Sequence, residues 1–221
     1  MQNCIQWQAK RPACDAARTL AARSKRKLEF ARGRSIAQLL LGRFGELKNV
    51  GVAADRSPIW PPGFIGSISH SDDFVWVAIG RQSAAVSVGI DTEPIVSNAT
   101  RVQLQAEIAT DKEWLIASRL NLDPLTTFTI LFSAKEAFYK CCYPLTHLFF
   151  SFQDVAIEAA NNNRVRLRMR PSNPNLSSPS AAALNTTKVP STLDVFFRVH
   201  EGNVFTVAWI DQPNTFVGEL R

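Results

Sequence analysis

The chain has 221 residues, 46% hydrophobic and 20% charged, enough to bury a real core as one large domain or two small ones. No apolar run approaches the roughly 18 residues of a membrane span, and the N-terminal stretch MQNCIQWQAKRPACDAAR lacks the continuous apolar segment of a secretory signal. Its four cysteines, Cys4, Cys14, Cys141 and Cys142, are spaced for neither a disulfide framework nor a zinc site, so a cytoplasmic protein with free thiols is expected.

The formal charge of +6 is unevenly placed. Residues 1–50 hold eleven Lys/Arg against three Asp/Glu, and the remainder is slightly acidic. That basic region suits a nucleic acid, an anionic membrane, a phosphorylated small molecule or an acidic protein. The spacing of Leu20, Leu28, Ile36, Leu39 and Leu40 predicts a helical stretch from about Asp15 to Leu41, with Gly33 as a possible break and Gly42 and Gly45 as stop signals. A Pro/Trp loop from Pro58 to Gly63 follows. Phe74 to Ile79 and Val86 to Ile90 read as strands around a Gly80–Ser83 turn. Helices are expected over 100–120 and 129–142, the second burying Ile130, Leu131, Ala134, Phe138 and Cys141. The C-terminal third reads as two strand pairs. One flanks Asn161-Asn162-Asn163 and the other Glu201-Gly202-Asn203, and between them the Ser/Pro/Asn-rich stretch 171–191 reads as a mobile insertion.

The chemistry concentrates in three segments. In VGIDTE, Asp91 and Glu93 follow an apolar strand pattern two residues apart, so extended backbone points both carboxylates to one face. In FSAKEAFYK, Glu136 and Lys140 are four apart on a helical pattern and share a helix face. Three hard oxygen donors from two elements, with a lysine beside them, suit a divalent cation and phosphate. In GSISHS, from Gly66 to Ser71, small residues let backbone N–H groups approach an anion, and His70 can donate to a phosphate oxygen. Each segment alone has an ordinary explanation: a solvated turn, a surface ion pair worth a few tenths of a kcal/mol, an exposed histidine. Their occurrence together and in this order is what points to a site.

WPPGFIGSISHS, VGIDTE and FSAKEAFYK, with the basic block KRKLEFARGR at residues 25–34, resemble the 4′-phosphopantetheinyl transferases. The resemblance is to the surfactin-type group and, within it, to the subgroup similar to enterobactin synthetase component D, and it runs from about Lys25 to about Pro144. It implies an α+β fold, a pseudo-dimer of two similar α/β halves with the active site in the cleft between them. The halves are placed at residues 1–98 and 99–221. It implies transfer of 4′-phosphopantetheine from coenzyme A to a serine of an apo acyl, peptidyl or aryl carrier protein, in siderophore, peptide, polyketide or fatty-acid synthesis, with release of adenosine 3′,5′-bisphosphate. Magnesium is then held by Asp91, Glu93 and Glu136. Glu136 is also the candidate base, a dual assignment left open. Lys140 contacts the pyrophosphate, and His70 and Ser69 hold a phosphate. Arg26, Lys27, Arg34 and Arg56 are the candidates for the 3′-phosphate of coenzyme A. Trp60 and Phe64 suit either the adenine or the core. The resemblance implies a monomer with neither nucleic-acid nor membrane partner. The chain departs from the pattern after His70, where Ser71-Asp72-Asp73 stands in place of glycine and small residues. Two other readings share part of the signal. A magnesium-dependent phosphoesterase or nuclease would use the same carboxylates but leaves the GSISH segment unexplained. A nucleic-acid-binding protein would use only the basic helix.

Overall fold

The computed structural model describes residues 16–71, 74–170 and 189–213. The expected α+β class holds: four α-helices and nine strands, two of them only two residues long, are described. No helix among the described residues is long and apolar enough to cross a membrane.

Helix α1 (Ala16–Arg43) runs unbroken through Gly33, against the expected interruption. A Cβ on Gly33 would lie 2.8 Å from Ile68 Cγ2, so this glycine serves a close helix–strand approach and does not end the helix. Ala37 and Leu41, one turn apart, bury the inner face. Gly45, at φ +77°, turns the chain out of the helix, and Glu46 N–H returns to the Leu41 carbonyl at 3.1 Å. Two-residue strands β1 (Gly51–Val52) and β2 (Pro58–Ile59) pair across the 53–57 turn. Strands β3 (Phe64–His70) and β4 (Val75–Arg81) form an antiparallel hairpin under α1. Phe64 belongs to the small core here, and Trp60 packs against that core and over Gly66, so the core reading accounts for both aromatics.

Strand β5 (Ala85–Pro94) does not pair with β4 across the intervening turn. It forms one edge of a five-stranded antiparallel sheet with β6 (Val155–Asn161), β7 (Arg164–Met169), β8 (Thr192–His200) and β9 (Asn203–Asp211), in the order β5-β9-β8-β7-β6. The two expected strand pairs are present. Glu201 and Gly202, both at positive φ, make the turn between β8 and β9. Residues 171–188 of the expected insertion lie outside the described residues. Along its free side β5 meets β3 through side chains: Ser67 Oγ accepts from Ile90 N–H at 3.1 Å and Ser69 Oγ from Thr92 N–H at 3.2 Å. Two serine hydroxyls thus stand where a backbone ladder would close the sheet. A unit boundary at 98/99 would leave β5 paired across it.

The expected 100–120 helix is two helices, α2 (Asn98–Ile108) and α3 (Asp111–Ala117). Thr110 starts the second with a capping box: its hydroxyl accepts from Glu113 N–H, and the Glu113 carboxylate accepts from Thr110 N–H at 2.8 Å. Helix α4 (Pro124–Thr146) is longer than expected. Asp123 caps its first turn, and Pro124 sits where a missing N–H costs nothing. Ile130, Leu131, Ala134, Phe138 and Cys141 are buried as expected, against Val165, Leu167, Val195, Val204 and Ala208 of the sheet. Helix and β5 touch backbone to backbone at Gly89, where a Cβ would sit 2.1 Å from the Ala137 carbonyl oxygen.

Candidate active site

The five-stranded sheet and α4 bring Asp91 and Lys140 together, 49 residues apart in sequence. Asp91 points from β5 toward the helix and is only 2% exposed. Its Oδ1 accepts from Lys140 Nζ at 2.6 Å and from Ser69 Oγ at 2.8 Å, and its Oδ2 accepts from Ser133 Oγ at 2.8 Å. Thr206 on β9 completes the cluster, bonding the Ser133 carbonyl oxygen and standing 2.9 Å from its hydroxyl. A buried carboxylate must be paired and hydrogen-bonded to remain, and here β3, α4 and β9 all contribute to that.

Glu136, one turn before Lys140, is the site's titrating group. Burial pushes its carboxyl up to about 6; the Lys140 charge pulls down, and the Asp91 charge adds to the rise. Burial works against the Lys140 ammonium, but Asp91, Glu136 and Glu93 together hold it above the usual lysine range. One ammonium therefore feels all three predicted carboxylates.

That donor set is chemically suited to a hard divalent cation, being oxygen only. Among the described residues no three His, Cys, Asp or Glu side chains stand close enough to share an ion as arranged. The Lys140 ammonium instead takes Asp91 Oδ1, at 2.6 Å. The Lys140 side chain is 28% exposed.

His70 stands apart from this cluster. Strand alternation turns Ser67 and Ser69 toward β5 and His70 toward α1, where its Nδ1 lies 3.6 Å from Glu29 Oε2. Ser69 is 3% exposed and committed to Asp91, Thr92 and Lys140, so it orders the cluster from within the protein. Arg34 donates to the Gly51 carbonyl at 2.7 Å and stacks over Phe30 at 4.8 Å, and burial lowers its pKa. Arg26, Lys27 and Arg56 do converge, lining a cavity of about 430 Å³ with Phe30 and Val52.

Two further cavities continue from it. The first, about 280 Å³, shares Arg56 with the basic cavity and is lined by Lys140, Ser67 and Tyr143. The second, about 890 Å³, shares Asp55, Tyr139 and Phe149 with the first and is lined by Glu136 and the aromatic rings of Phe150 and Phe152. Their sequence from α1 to α3 is basic, then lysine, then carboxylate with aromatic walls. Where the first two meet, Arg56 adopts φ +71°, a left-handed conformation disfavoured for a side chain with a Cβ. Beside it Tyr143 donates to Asp55, which holds the Asp55 carboxyl down at about 2.

Sequence reasoning missed Ser133, Thr206, Tyr143 and Asp55. Ser133 lies inside the FSAKEAFYK segment and was legible as a polar residue on a buried helix face. The others carry no local signal.

Comparison with known proteins identifies the family. The family model for the 4′-phosphopantetheinyl transferase N-terminal domain matches residues 15–80. The model for the 4′-phosphopantetheinyl transferase superfamily matches residues 87–188. The chain is 34% identical over 144 residues to the 4′-phosphopantetheinyl transferase Svp of Streptomyces mobaraensis, covering 65% of this chain and 58% of that protein. It is 37% identical over 145 residues to the 4′-phosphopantetheinyl transferase PptT of Mycobacterium tuberculosis, 62% of this chain and 61% of the relative. It is 33% identical over 154 residues to enterobactin synthase component D of Salmonella typhi, 70% and 64% respectively. The chain thus spans less than two thirds of the length of these relatives. The two family models meet where β4 gives way to β5 and between them take in the basic cavity, the Asp91 strand and the Glu136 helix, so the chain belongs to the 4′-phosphopantetheinyl transferase superfamily.

Proposed function

We propose that this protein transfers 4′-phosphopantetheine from coenzyme A to a serine hydroxyl of an apo carrier protein. The observation that carries the reading is the run of three adjoining cavities. A basic cavity suits the 3′-phosphate and adenosine, Lys140 suits the pyrophosphate, and the aromatic-walled cavity beside Glu136 suits the pantetheine arm. The cleft between residues 1–98 and 99–221 then receives the substrate.

The serine oxygen attacks the phosphorus that carries pantetheine, the bond from that phosphorus to the bridging oxygen breaks, and adenosine 3′,5′-bisphosphate leaves. Glu136 accepts the serine proton. With its pKa near 6 the carboxylate is mostly ionised at neutral pH and yet basic enough to help. Lys140 places a positive charge where negative charge gathers on the phosphoryl and leaving oxygens. Arg26, Lys27 and Arg56 hold the 3′-phosphate, with Arg34 bracing Phe30 behind them. Asp91, Glu93 and Glu136 would hold magnesium, which when bound supplies further positive charge to the pyrophosphate. We infer a cytoplasmic monomer with neither nucleic acid nor membrane as partner.

The test is incubation with coenzyme A, magnesium and a panel of apo carrier proteins, followed by mass spectrometry. A gain of one phosphopantetheine on a carrier is expected. Asp91→Asn, which keeps the side chain's shape, should lower the rate at least about a hundredfold. Hydrolysis of coenzyme A or a phosphodiester with no carrier modified would replace this reading with a phosphoesterase, and full activity in Asp91→Asn would remove the carboxylate site.

A further inference from the structure

The FSAKEAFYK segment contains a second lysine that the reaction does not use. Lys135 precedes Glu136, and its side chain is 1% exposed. An ammonium buried that completely needs all three protons bonded. Lys135 Nζ donates to the Ile108 carbonyl at 2.7 Å, the Phe152 carbonyl at 2.8 Å and Glu113 Oε1 at 3.2 Å. Glu113 is equally committed. Its Oε1 also accepts from Ile157 N–H at 2.8 Å. Its Oε2 accepts from the Thr110 N–H and hydroxyl at 2.8 and 2.7 Å and lies 3.3 Å from Arg170 Nη2.

These partners form the two walls of the cavity beside Glu136. Ala106, Glu107 and Thr110, from the end of α2 and the start of α3, line one wall. Ser151, Phe152, Gln153 and Val155 line the other. Lys135 lies at the base between them and bonds to both: Ile108 and, through Glu113, Thr110 on one side, Phe152 and, through Glu113, Ile157 on the other. Nearer the surface Gln153 Nε2 repeats the connection, donating to the Ala106 and Glu107 carbonyls at 2.8 and 3.0 Å. A hydrophobic pair would fill the same volume at similar or better stability. An ion pair instead fixes direction, because each bond is satisfied only at one spacing of the walls.

We propose that Lys135 and Glu113 are positioning residues that set the width of the aromatic-walled cavity and so align the pantetheine arm against Glu136. This rests on the reading of that cavity as the arm's site. Neither residue touches the reacting atoms, and neither contributes to the basic cavity at α1.

The experiment separates the arm from the nucleotide. Calorimetry on the whole protein measures coenzyme A and adenosine 3′,5′-bisphosphate, which lacks the arm, for wild type, Lys135→Met and Gln153→Ala. In wild type coenzyme A binds more tightly than the bisphosphate. Lys135→Met weakens coenzyme A about tenfold and leaves the bisphosphate within about twofold. Gln153→Ala, at a half-buried side chain outside the hydrophobic core, moves the same ratio about threefold. If Lys135→Met does not fold, Gln153→Ala decides. An unchanged ratio in the variant that decides, or equal loss of both ligands, overturns the positioning role. If wild type binds both ligands equally, the arm has no site in this cavity and the proposal is overturned, while modification of an apo carrier still decides the transfer reading by itself.

Discussion

The two sides of the cleft are built differently. On the N-terminal side, Ala37, Leu41, Val50 and Phe64 form a small core under α1, with Trp60, Ile68, Val77 and Ile79 packed around it. On the C-terminal side one core runs from Ile108 to Ile210 and includes both faces of the α4–sheet contact. The groups proposed for chemistry, Asp91, Glu136 and Lys140, stand on the large core. Those proposed for recognition, Arg26, Lys27 and Arg56, stand on a helix and a turn over the small one. Chemistry needs sub-ångström placement, which close packing provides. Binding a phosphate through long basic side chains tolerates a softer mount. Local opening free energy follows buried contact, so the N-terminal side is the one expected to breathe.

One substitution made on each side tests this most sharply. Gly89→Ala drives a Cβ onto the backbone of α4, 2.1 Å from Ala137 O and 2.4 Å from Cys141 N, and neither can yield. We expect a loss of about 3 kcal/mol or more in urea unfolding, with transfer activity falling as well. Gly33→Ala is its counterpart on the small core and has the smallest expected effect, given below.

Glu136→Gln comes next. The folded-state pKa of about 6 lies above the ordinary glutamate value, so the folded protein holds this proton more tightly than the unfolded chain does. Glu136 therefore favours the unfolded state as pH rises through 6. The penalty is complete above that point and absent below the unfolded pKa. Without divalent cations, Glu136→Gln should be more stable than wild type at pH 8 by up to about 2 kcal/mol, and the gain should vanish near pH 4. Equal stability at both pH values would mean that the carboxylate is solvated in solution. The same variant should lose transfer, since the amide is no base.

Arg56→Gly separates strain from binding on the soft side. Glycine adopts φ +71° freely, so stability should rise by about 1 kcal/mol. The preference for coenzyme A over its 3′-dephosphorylated form should fall about tenfold. Thermal melting and calorimetry check the two halves of that statement. A variant less stable than wild type would mean that the guanidinium holds the turn together.

Gly33→Ala, last, meets Ile68 Cγ2 at 2.8 Å and Val75 Cγ1 at 3.8 Å, side-chain methyls on a hairpin with a small core, where the strand can shift by a few tenths of an ångström. Alanine's better helix propensity, about 1 kcal/mol, offsets the crowding. A net change within about 1 kcal/mol is expected. A loss as large as that of Gly89→Ala would show that α1 and β3 are as tightly registered as α4 and β5, and the contrast between the two sides would fail.

The strands, their turns and the carboxylate helix were legible because each rests on local pattern: Glu201-Gly202 takes positive φ, and Ile130, Leu131, Ala134, Phe138 and Cys141 recur at helical spacing. The α2–α3 break was also written locally, as Thr110-x-x-Glu113, but the apolar period runs across it and hides it. Gly33 has two meanings, stop or close contact, and only the position of Ile68 chooses between them. Arg34 and Lys135 looked alike as basic residues in basic or charged segments. What separates them from solvated charges is the arrival of Gly51 O, Ile108 O and Phe152 O from elsewhere in the chain. The hydroxyl of Thr206 gave least warning, since threonine in a strand is ordinary until a carboxylate is placed beside it, and Ser69 was legible as a site residue but not as a partner of Asp91.

The pairing of β5 with β9 also governs the order of assembly. Asp91 and Thr206 are opposed across that ladder although 115 residues separate them. Contacts so distant in sequence form late and slowly, because the intervening loop must close first. During synthesis, α1 and the β3–β4 hairpin can form while β5 still lacks its ladder partner. The exposed edge of β5 must then wait for β9 to be made, a window in which a foreign strand could pair there. Asp91 takes its final place in the ladder only when that wait ends.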